Sequence, residues 1–109
     1  MTDTIRALLQ RAIDVNGPMN QVIKTFEEQG ELAQALAKLA VNTDAPNPEY
    51  NQMADHVAEE IADVRIMLEQ VCMIFGIEER AQQWRYHKLQ RLKERLDAME
   101  DNQRKGNEP

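Results

Sequence analysis

Two short runs in this 109-residue chain carry carboxylates at helical spacing. Glu27-Glu28-Gln29-Gly30-Glu31 is echoed, 32 residues later, by Glu59-Glu60-Ile61-Ala62-Asp63. The likeness extends over EEQGELAQAL and EEIADVRIML, where Leu32 matches Val64 and Leu36 matches Leu68. On a helix, positions three and four apart share a face. Glu28 then falls in line with Leu32, Ala35, Leu36 and Leu39, and Glu60 with Val64, Met67, Leu68 and Val71. Both acids stand inside apolar stripes. Glu31 and Asp63 lie at one edge of those stripes, Glu27 lies further round, and Glu59 is on the polar side.

An ionised carboxylate taken out of water needs a proton, a cation or a set of donors. Up to four would converge here from two facing helices, and only Lys24, Lys38 and Arg65 are near in sequence. A divalent cation accounts for the arrangement with fewer parts. Oxygen donors without Cys or His favour a hard ion, Mg²⁺ or Mn²⁺. A lone Glu-x-x-Glu is an ordinary solvated helix face. Two copies at matching stripe positions argue for a site.

The elements that would position these acids are helices. Few glycines and few β-branched runs favour helix over strand. Asp3 is a candidate cap for a first helix that carries Ile5, Leu8, Leu9 and Ala12, with Asn16-Gly17-Pro18 as its stop. A second runs from Pro18 to about Val41, and Asn42 to Pro48 is the clearest loop. A third spans about Glu49 to Phe75, closed by Gly76, and a fourth runs from Glu78-Glu79 to about Glu100. The fold class expected is all-α: a single domain over residues 1–100, with 101–109 a frayed polar tail. The long second and third helices should form an antiparallel hairpin. Leucine stripes including Leu36, Leu68, Phe75, Leu89, Leu92 and Leu96 exceed what one slim bundle covers, so a homodimer or homotetramer is expected.

Composition narrows the function classes. A single Cys excludes a disulfide framework and suits a reducing, cytoplasmic setting, and Cys72 itself reads as a core residue. No apolar run reaches the length of a membrane span, and the N-terminal stretch lacks the layout of a signal peptide. A formal net charge of −6 disfavours a nucleic acid partner, and the lack of an apolar span disfavours a membrane one. That average hides an asymmetry. Residues 1–79 hold 5 basic and 14 acidic residues, and residues 80–109 hold 8 basic and 5 acidic. His56 and His87 have no metal-ligand spacing to the acids, and the absence of Glu-x-x-His disfavours a di-iron carboxylate bundle.

The pattern Glu27-Glu28-x-x-Glu31, then Glu60-x-x-Asp63 after 28 intervening residues, resembles the MazG-like all-α nucleoside triphosphate pyrophosphohydrolases. The flanking text GPMNQVIKTFEEQGEL and EEIADVRIMLEQVCMIFGI is also similar, and the resemblance covers about Gly17 to Leu96. Its form is nearest the short, single-domain members often carried by phages. The resemblance implies a four-helix, MazG-like antiparallel bundle completed by oligomerisation. It implies Mg²⁺-dependent hydrolysis of a nucleoside triphosphate between the α and β phosphates, giving a monophosphate and pyrophosphate. Glu28, Glu31, Glu60 and Asp63 would be metal ligands, and Glu27 the acid that holds or activates the attacking water. Gln21 would reach substrate. Relatives place a Lys and an Arg on the last helix against the distal phosphates, and Lys88 and Arg91 are the matching positions, although the Asn usual between them is absent. Arg85, Lys88, Arg91 and Arg95 do share one helix side. Two rival readings stand beside the enzyme: a catalytically silent helical module binding metal or a basic partner, and a small regulatory helical protein without metal.

Overall fold

A computed structural model describes residues 1–107 and shows four helices: α1 (Asp3–Asn16), α2 (Pro18–Val41), α3 (Asn47–Phe75) and α4 (Glu78–Gly106). No strand occurs among the described residues. The chain divides into two compact units, Met1–Gly76 and the segment from Ile77 onward.

Each boundary in the first unit has a local cause. Thr2, one residue before the expected cap, starts α1, and its Oγ1 accepts from the Ile5 N–H at 3.2 Å. Asp3 falls instead in the first turn, where its charge complements the helix N-terminus. Gly17 joins α1 to α2 with φ 92° and ψ 138°, a conformation that side-chain-bearing residues avoid. Its N–H donates to the Ile13 carbonyl at 2.8 Å, and Pro18 opens α2 where a missing N–H costs nothing. Asn42 ends α2, and its Nδ2 donates to the Lys38 carbonyl at 2.8 Å. α3 begins at Asn47, slightly before the expected Glu49, because Pro48 is tolerated in a first turn. Gly76 closes it in the left-handed region, φ 63° and ψ 37°.

α2 and α3 make the principal contact, and α1 packs on both. Beside half-buried Val22, α2 withdraws Gln21, Thr25, Glu28, Leu32, Ala35 and Leu39 from water, at alternating steps of four and three. α3 answers with Val57, Glu60, Val64, Met67 and Gln70. Such spacing gives one continuous seam on each helix. The seam is apolar toward the loop and increasingly polar toward Gln21 and Gln70. Leu9 and Ile13 of α1 complete a small core. Leu36 and Leu68 adjoin the seam positions Ala35 and Met67 but face outward, 51% and 42% exposed.

α4 is a single helix with none of its residues buried; Leu89, Leu92 and Leu96 are all exposed. It extends past Glu100 to Gly106, so most of the expected tail is helical. Asp101 accepts from Arg104 at 2.8 Å and pairs with Lys105 at 3.1 Å, and both bases suit a helix C-terminus. Residues 108 and 109 of that tail lie outside the described residues. No helix of the described residues is long and apolar enough to cross a membrane.

Candidate metal centre

Three of the sequence-derived acids meet in the α2–α3 seam. Glu28, Glu60 and Asp63 each offer one carboxylate oxygen within 4.8 Å of the others. Three oxygens bound to one Mg²⁺ at about 2.0–2.1 Å can stand no more than ~4.2 Å apart. Holding one ion would therefore draw the three carboxylates closer together. Glu60 is 5% exposed, held between Val57 and Val64 on the inner face of α3, while Glu28 and Asp63 are half-buried.

The acids are under-satisfied. Oε2 of Glu28 and Oε2 of Glu60 are buried and have no hydrogen-bond partner. Such an atom ordinarily costs about 1–3 kcal/mol and is rarely left without a reason. Burial, then the charges of Glu31, Asp63 and Glu60, raises the Glu28 carboxyl above its ordinary value, with Lys24 acting the other way. Burial, then the charges of Glu31 and Asp63, raises Glu60 likewise; His56 opposes this and Glu59 adds to it. Carboxylates gathered in this way could hold a cation by charge as well as by donor type.

The remaining candidates fall in different places. Glu31 is exposed and outside the converging trio, but near enough for its charge to act on both Glu28 and Glu60. Glu27 is exposed beside Glu28 on α2. Gln21, expected to reach substrate, is buried and donates through Nε2 to Gln70 Oε1 at 2.7 Å. Thr25 Oγ1 donates to the Gln21 carbonyl at 2.8 Å, and Gln70 Nε2 approaches the Met67 sulfur at 3.7 Å. The Gln21 side chain thus links two helices. Lys88 and Arg91 share an exposed hollow on α4 with Trp84, His87 and Glu94.

His56 is a neighbour that sequence reasoning set aside. Its Nε2 lies 3.9 Å from Glu60 Oε1, one helical turn before it. The four-residue interval between His56 and Glu60 puts both on one helix face and is a signal the sequence carries. Comparison with protein-family models, with curated proteins and with solved structures gives no match.

Proposed function

We propose that this protein is a Mg²⁺-dependent nucleoside triphosphate pyrophosphohydrolase, cleaving between the α and β phosphates to release a monophosphate and pyrophosphate. The observation that carries the reading is the Glu28, Glu60 and Asp63 trio with two buried, unpartnered carboxylate oxygens. The resemblance of Glu27-Glu28-x-x-Glu31 and Glu60-x-x-Asp63 to the MazG-like motif supplies the reaction class, which geometry alone does not. The finer fold, a MazG-like bundle completed by a second copy, belongs to the same proposal.

Glu28, Glu60 and Asp63 would hold the ion, with Glu31 at the open edge as a fourth ligand. Bound there, Mg²⁺ (or Mn²⁺) would screen the triphosphate charge and lower the pKa of a coordinated water. The buried position of Glu60 fixes one ligand rigidly, and the half-exposed Glu28 and Asp63 leave a side open to substrate. Glu27, exposed next to Glu28, would take a proton from the attacking water. By the resemblance, Lys88 and Arg91 would be the positions that meet the distal phosphates.

Incubating the pure protein with each ribo- and deoxyribonucleoside triphosphate and Mg²⁺ tests the reading by pyrophosphate release. Glu28→Gln and Asp63→Asn are expected to lower turnover by about 100-fold or more, since metal ligation contributes several kcal/mol to such reactions. Full activity in either variant, or no pyrophosphate from any nucleotide with wild type, rejects it. Metal binding without nucleotide binding would favour the silent module instead.

A further inference from the structure

The α2–α3 groove continues beyond the acids toward the loop, where its chemistry changes. A cavity of about 350 Å³ lies there, lined by Ala35 and Lys38 of α2, by Asn42 just past its end, and by α3 residues that include Gln52, Met53 and His56. That volume is within the ~300–1,000 Å³ of small-molecule pockets. Ala35 follows Glu31 by one helical turn and His56 precedes Glu60 by one turn, so the rim begins about 6 Å along the helices from the acids. The link is direct at one point, because His56 Nε2 is 3.9 Å from Glu60 Oε1.

The two parts of the groove suit different parts of one ligand. The acid cluster is strongly anionic and accepts a cation with a polyphosphate attached to it. The cavity is nearly balanced in charge, with Lys38 set against Glu49. Buried Ala35 and half-buried Met53 give it an apolar floor, and the Gln52 amide offers both a donor and an acceptor. An apolar floor with a few convergent polar groups is how flat heterocycles are held.

We propose that this cavity receives the nucleoside moiety of the substrate, with Met53 beneath the base and Gln52 and Lys38 reading its edge. The proposal rests on the pyrophosphohydrolase reading and adds to it the residues that select the base. Its test has two arms, both on the full chain. In the first, kcat and KM are measured over the nucleotide panel for wild type, Gln52→Leu and Met53→Trp. Removing the amide or filling the cavity should raise KM for the preferred nucleotide about tenfold or more and compress the ratios between bases, with kcat within about twofold. In the second, amide and methyl NMR spectra are followed during titration with phosphate-free nucleosides, and separately with inorganic phosphate. Nucleosides should shift Gln52, Met53 and Ala35.

The outcomes separate the two claims. Pyrophosphate release with base ratios unchanged in both variants overturns the pocket and leaves the hydrolase standing. If wild type hydrolyses no nucleotide, the hydrolase reading fails and the NMR arm alone decides the pocket. Shifts with inorganic phosphate and none with nucleosides assign Lys38 and His56 to an anion and overturn the proposal. A variant that fails to fold is recognised by its spectrum, and the other variant then carries the kinetic arm.

Discussion

Glu60 holds a position that its neighbours on α3 fill with Val57, Val64 and Met67. Its carboxyl and that of Glu28 are raised above 4.5, first by burial and then by surrounding acids. The folded state therefore keeps protons that the unfolded chain has already released. Stability from these two groups is complete below the ordinary carboxylate value and is lost as pH rises through the raised ones. In EDTA, Glu60→Gln should melt above wild type at neutral pH, and the gap should close on acidification. Saturating Mg²⁺ reverses the order, since a ligand at 100 times its Kd stabilises the folded state by about 2.7 kcal/mol. Thermal melts over pH, with and without Mg²⁺, measure both effects. A Glu60→Gln profile parallel to wild type throughout would contradict the assignment.

At the scale of elements, the helix hairpin and the stripe positions of Glu28 and Glu60 were legible because 3.6-residue periodicity and Gly, Pro and Asn punctuation are local signals. The pairing of Gln21 with Gln70 was not, because it joins residues 49 apart and depends on how α2 and α3 register. That pair makes its own prediction. Gln21→Leu leaves the Gln70 carbonyl oxygen buried without its donor and should cost about 1–3 kcal/mol. The double variant Gln21→Leu/Gln70→Leu should recover most of that loss, and urea titration of all three proteins decides it. Equal losses in the single and double variants would show that the pair is not the link between the helices. Gly76→Ala, forced to keep φ near 63°, should cost about 1 kcal/mol by the same measurement. The end of α4 has a local cause too. The run DNQRKG is polar and has no apolar period, but Asp101, Arg104 and Lys105 at helical spacing hold it.

At the scale of the whole molecule, the core is small and apolar residues remain outside it. On α2, Met19, Ile23 and Phe26 form a stripe at steps of four and three, with Phe26 65% exposed. An uncovered stripe of this kind is a candidate surface for the oligomer expected from the sequence. Sedimentation should give a particle larger than the 12.6 kDa chain, and Phe26→Glu should shift it toward monomer while leaving the helical content intact. A wild-type monomer at all concentrations would contradict assembly without touching the metal site. Charge is divided along the same chain, acidic through residue 79 and basic after it. The acidic excess, taken as an average, argues against phosphate ligands; resolved along the chain, it separates the acids of the proposed cation site from the basic residues proposed to meet phosphate.

The most direct measurement of the central claim is anomalous diffraction from crystals grown with Mn²⁺ and a non-hydrolysable nucleoside triphosphate. The account predicts an anomalous peak between the carboxylates of Glu28, Glu60 and Asp63, with phosphate density against it, and loss of that peak in Asp63→Asn. Nucleotide bound elsewhere, or no peak among these three carboxylates at saturating Mn²⁺, would contradict it.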